Sequence, residues 1–106
     1  MIYKNINPSN QSSVGTSYHG AVIHATPNQL KMTYGEPQGF NDGEGKVNLE
    51  WTLELEDGQV ITIYDWKYYR PLNEDEMVCW HIGSRCTNAS YIAQDLIRWD
   101  LEEMGF

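Results

Sequence analysis

An α+β fold, an antiparallel four-stranded sheet (β-α-β-β-β-α order) covered by a short helix and a C-terminal helix, is predicted by three features of the sequence. Residues 46–55 alternate without a break, with Val47, Leu49, Trp51, Leu53 and Leu55 on one face and Lys46, Asn48, Glu50, Thr52 and Glu54 on the other. Asp57-Gly58 comes next, a pair that favours a two-residue hairpin turn, and the run 60–68 supplies the partner strand. Finally, residues 89–104 place Ile92, Leu96 and Trp99 at helical spacing, with Gln94, Arg98 and Glu102 turned to water.

Taken in chain order, residues 5–17 are rich in Asn, Ser, Gln and Gly, and read as a flexible arm over 1–17 ahead of a single domain over 18–106. A strand is expected over 18–25, centred on Val22 and Ile23. Thr26-Pro27-Asn28-Gln29 then opens a helix: Thr26 caps it, Pro27 is preset for the first turn, and Gln29 completes a capping box. Gly35 and Pro37 stop that helix after Leu30 and Tyr34 have lined one side. Residues 40–45, FNDGEG, read as a glycine-rich turn.

A two-residue turn at Asp57-Gly58 fixes a register. Leu55 faces Val60, Leu53 faces Thr62, Trp51 faces Tyr64 and Leu49 faces Trp66, making an aromatic core face. Glu54 then faces Ile61, Thr52 faces Ile63, Glu50 faces Asp65 and Asn48 faces Lys67. Two carboxylates directly opposite destabilise a sheet unless a cation or a shared proton relieves them, and Lys67 or Arg85 is the expected relief. On this register, Asp65→Asn is neutral or mildly stabilising, unless a cation bridges the pair. After the acidic loop 73–76, a fourth strand over 77–83 puts Val78, Trp80 and Ile82 on one face and Cys79 and His81 on the other. Thr87 or Asn88 caps the last helix.

Fifteen acidic and seven basic residues give a formal net charge of −8, which argues against duplex nucleic acid as a partner, because binding a phosphate backbone relies on basic residues displacing counterions. The charge is uneven: residues 1–35 hold no Asp or Glu. Neither a leader pattern nor a membrane-spanning apolar run is visible, so a soluble, cytoplasmic protein is expected. Cys79 and Cys86 are then expected as free thiols.

The pieces HATPNQLKMTYGEP, DGQVITIYDWK and CWHIG, within residues 18–91, resemble a pattern in small uncharacterised proteins of tailed bacteriophages. The helix followed by Gly35-Glu36-Pro37 and then a hairpin is also similar in layout to β-lactamase-inhibitor-like modules. The first resemblance implies an infected bacterial host as the setting, and the second implies binding without chemistry. Neither implies a catalytic residue.

The stretch TIYDWKYYRP, residues 62–71, concentrates four aromatic and two basic residues. Buried strand packing accounts for Tyr64 and Trp66. Lys67, Tyr68, Tyr69 and Arg70 at the strand end offer aromatic planes beside cations, a combination suited to a nucleobase and its phosphates. Lys31, near the first helix N-terminus, and His81 and Arg85, from the neighbouring strand and its end, complete the candidate ligand-binding set. Cys79, His81 and Cys86 lack the short Cys-x-x-Cys spacing of a zinc site. No P-loop, dinucleotide fingerprint or Ser/His/Asp order occurs, so no cofactor, metal or catalytic residue is expected. The expectation is a non-enzymatic counter-defence protein that sequesters a small nucleotide-like immune signal, as a homo-oligomer if subunits must enclose the ligand. The alternative is an acidic inhibitor, anti-CRISPR-like or a nucleic-acid mimic, that presents residues 36–56 and 73–76 to a basic host defence protein.

Overall fold

In the computed structural model, which describes residues 3–40 and 47–106, the chain runs β1 (Ile6–Pro8), β2 (Ser17–Ala25), α1 (Pro27–Tyr34), β3 (Gly39–Phe40), β4 (Leu49–Leu55), β5 (Val60–Tyr64), β6 (Val78–Ser84) and α2 (Thr87–Glu103). The fold is α+β. The strands form one antiparallel sheet in the order β1-β4-β5-β6-β2, and β3 pairs with β4 on the edge it shares with β1. Four expected strands are present, and β1 and β3 are additions to them. The turn expected at 40–45 lies outside the described residues except at Phe40, whose backbone belongs to β3.

Residues 6–8, expected in a flexible arm, pair in register with Leu55, Glu54 and Leu53. Ile6 is buried in the core, and the Glu56 carboxylate accepts the backbone N–H groups of Lys4 and Asn5. One apolar residue among polar neighbours gives no alternation to read. The strand forms because the edge of β4 offers unpaired backbone groups.

The hairpin corrects the expected register. The Leu55 N–H donates to the Gln59 carbonyl and the Gly58 N–H to the Leu55 carbonyl, both at 2.9 Å, with Gly58 at φ +86°. These bonds define a three-residue loop, Glu56-Asp57-Gly58, with a bulge at the glycine. The pairs become Glu54 with Val60, Leu53 with Ile61, Thr52 with Thr62, Trp51 with Ile63 and Glu50 with Tyr64. A slip of one residue turns every β5 side chain to the opposite face. Ile61 and Ile63 thereby enter the core, and Tyr64 leaves it. Burial decides the slip, because the expected register would have set Thr62 and Tyr64 with their hydroxyls against the helices.

Asp65 consequently does not face Glu50. It is fully buried, and its carboxylate accepts the Asn48 N–H at 2.8 Å, the Leu49 N–H at 2.9 Å and the Asn48 side-chain amide at 2.8 Å. Neither Lys67 nor Arg85 relieves it; two backbone N–H groups and the Asn48 amide do.

Both helices pack on the face that carries Trp51, Leu53, Ile61, Ile63, Trp80 and Ile82. α1 has the expected capping box, with Leu30 and Tyr34 buried. In α2 the position before the first turn is Cys86, which makes no side-chain cap, rather than Thr87 or Asn88. Its buried stripe is Ala89, Ala93, Leu96, Ile97 and Leu101, so Trp99 is turned outward and Gln94, half-buried, donates to the Val22 carbonyl at 2.8 Å. Small alanines let the helix lie close on the sheet, which outweighs burial of the larger Trp99 on a crowded side. Trp51 and Trp80 meet edge to face at 5.4 Å, their indole N–H groups donating to the carbonyls of Gly35 and Ala25.

Candidate functional site

The one-residue slip also builds the opposite face of the sheet. Across it, Gly39, Glu50, Tyr64, His81 and Val22 form one cross-strand row, and Thr52, Thr62, Gly83 and Tyr18 form the next. Thr52 and Thr62 are buried, Tyr64 and His81 are half-buried, and Trp66, beyond the end of β5, is 41% exposed. The face therefore opens toward Trp66.

Tyr18 reaches His81 because β2 bulges between Tyr18 and Val22, where Gly20 sits at φ +100°. The Tyr18 and His81 rings stack with centroids 3.9 Å apart and planes 14° from parallel. The plane of Trp66 is 25° from that of His81 at 6.2 Å, and Tyr64 meets both edge-on, at 5.6 Å from His81 and 6.2 Å from Trp66. Gly83 makes the close approach possible: a Cβ there would lie 2.4 Å from Thr62 Oγ1. The result is a set of aromatic planes with Tyr18, at 44% exposure, and Trp66 open to solvent.

Electrostatics divide this face. Burial holds the Glu50 carboxyl above its ordinary value and the His81 imidazole below its own. Tyr64 is raised by burial first, and then by the nearby Glu50 and Tyr18. Lys67 Nζ lies 5.6 Å from the Trp66 ring centroid, within cation–π distance.

The segment after β5 is held under local strain. Lys67 and Tyr69 both occupy positive φ, at 60° and 55°, a conformation costing non-glycine residues about 1–2 kcal/mol each. Tyr68 between them is the anchor: it packs on the core, and its hydroxyl accepts the Cys79 N–H at 3.2 Å. Its neighbours are thereby displayed outward, Tyr69 at 60% exposure.

The structure separates the residues selected from the sequence. His81 and Lys67 belong to the aromatic face. Lys31 pairs with Glu74 at 2.5 Å, while Arg70 binds Glu76 through two hydrogen bonds of 2.7 and 2.8 Å. Arg85 donates to the carbonyls of Ser12 and Val14. The α1 N-terminus is also engaged, since the Asn28 N–H donates to the Glu74 carbonyl and the Gln29 N–H to Thr26 Oγ1. Tyr18 and Glu50 are not in the ligand set expected from the sequence, and the expected register puts Trp66 in the core. The one available signal for Trp66 was its place in an exposed-looking strand end; for Tyr18, sequence carried none, because a bulge delivers it.

The acidic surface expected to meet a basic partner is partly occupied within the chain. Glu74 and Glu76 hold Lys31 and Arg70, and Glu56 holds backbone amides. Among the described residues, no group of three His, Cys, Asp or Glu side chains is placed to hold a metal ion, and no helix is long and apolar enough to cross a membrane. No protein-family profile and no curated protein matches the sequence.

Proposed function

We propose that the protein is a non-enzymatic binding module that holds the planar base of a small nucleotide-like ligand against Tyr18, His81 and Trp66. The observation that carries this reading is the exposed stack of aromatic planes on the sheet face left free by the helices. Stacking on aromatic rings is worth about 1–3 kcal/mol per base and tolerates many bases. In this reading Lys67, beside the Trp66 ring, meets a phosphate, and the Glu50 carboxylate disfavours phosphate beside Tyr64. Lys31, Arg70 and Arg85 contribute to shape rather than to ligand contact in this reading. The face is open, so a homo-oligomer would enclose the ligand more completely. Sequestration of an immune signal in a phage-infected host is the biological setting that the sequence resemblance supports.

The test is a thermal-shift screen against cyclic nucleotides and ADP-ribose derivatives, followed by calorimetry. A tight ligand raises Tm by mass action. Trp66→Ala should abolish the shift, and Lys67→Ala should weaken phosphorylated ligands while sparing the nucleoside. A flat screen, a shift that survives Trp66→Ala, or repeated turnover of the ligand would each overturn the reading.

A further inference from the structure

The outward turn of α2 leaves a second feature, on the helix side of the sheet and away from the aromatic face. Trp99 is 60% exposed, although a tryptophan on a helix is ordinarily an economical way to fill a core. Two clefts of about 450 and 260 Å³ share Trp99 and Tyr3. Ile92, half-buried, continues the apolar floor of the smaller cleft, and Tyr3 is fixed by its hydroxyl donating to Asp57 at 2.6 Å. The apolar strip thus has one fixed wall from the N-terminal segment and one from the helix.

Its rim is acidic. Asp95 borders the smaller cleft, and Asp100 and Glu103 border the larger. Among the described residues lining the two clefts, Lys4 is the one basic residue against these three carboxylates. Asp100 is oriented by the Tyr34 hydroxyl, which donates to it at 2.7 Å. An apolar strip between carboxylates is complementary to an apolar side chain carried among lysines and arginines.

We infer that the Tyr3–Trp99 groove is a docking site for a basic amphipathic peptide segment of another protein, seating an apolar side chain against Trp99 while its lysines or arginines meet Asp95, Asp100 and Glu103. A second copy of this chain fits poorly, because each copy carries a net charge of −8 and would bring its acids against the same acidic rim. The site is independent of ligand binding at Trp66, which lies on the opposite side of the sheet.

Fluorescence anisotropy with a labelled amphipathic peptide of leucine and lysine at helical spacing tests the inference. Saturable binding is expected, weakened at least about tenfold by Trp99→Ala, as for an aromatic anchor in an interface, and weakened comparably by Asp95→Lys with Glu103→Lys. Trp66→Ala should leave it unchanged. All four positions are exposed, and equal unfolding midpoints would establish that the variants fold. Three results would overturn the inference: no saturable binding, equal binding of a peptide with glutamate in place of lysine, or self-association of the protein that is lost in Trp99→Ala.

Discussion

Asp65 and Glu50 show how position on the two faces of one hairpin assigns different roles to the same functional group. Asp65 is enclosed by two backbone donors and one side-chain amide donor, so its carboxylate organises the chain entering β4. Asp65→Asn keeps the shape but turns an amide N–H₂ toward donors. A loss of about 1–3 kcal/mol is expected by chemical denaturation, with no cation involved; a neutral result would remove this account of the carboxylate. Glu50 is half-buried, and burial holds its carboxyl above the ordinary value. Folding therefore favours the protonated form, and the stability Glu50 contributes is present below its unfolded pKa and lost as pH rises through the raised folded value. Glu50→Gln should be more stable than the parent at about pH 7, and the difference should close at about pH 3. Denaturation midpoints at the two pH values check this, and a difference of constant size would contradict it.

At the level of elements, the β4–β5 turn decides what the sheet displays. Gly58 occupies positive φ with no atom near its missing Cβ, so the penalty of a side chain there is conformational rather than steric. Gly58→Ala should destabilise by about 1 kcal/mol, and Gly58→Asn by less, because asparagine tolerates left-handed backbone better. Equal unfolding midpoints for parent and Gly58→Ala would mean that the three-residue loop is not held. The periodicity of β4, the capping box of α1 and the helical character of α2 were all legible. The slip of β5 and the rotation of α2 were not, because Asp57-Gly58 is compatible with two loop lengths, and large apolar residues on α2 suggest a stripe different from the one its alanines let pack.

For the whole molecule, the N-terminal segment is part of the sheet. β1 covers one end of the β4 edge, Ile6 enters the core, and Ser9 continues the pairing through its N–H to the Thr52 carbonyl at 2.9 Å. Deleting residues through Pro8 should lower stability by about 2–4 kcal/mol, the range for emptying a buried aliphatic site. It should also raise aggregation, since an unpaired β4 edge can template pairing with another chain. Denaturant unfolding and light scattering measure the two effects. A truncated chain as stable and monodisperse as the parent would show that the segment is an appendage.

Local sequence by itself determined the α+β class, the antiparallel hairpin and the position of α1. Each rests on interactions between near neighbours: alternation of apolar residues, a capping box, a turn dipeptide. The aromatic face and the Trp99 groove were decided only by tertiary structure. Tyr18 meets His81 across 63 positions of chain through a bulge, and Trp66 reaches them because burying Ile61 and Ile63 turns Tyr64 outward. Trp99 is left exposed because Ala89 and Ala93 claim the sheet. Which of two apolar faces is buried depends on the free energy of packing the whole core, and no window of neighbouring residues contains that sum.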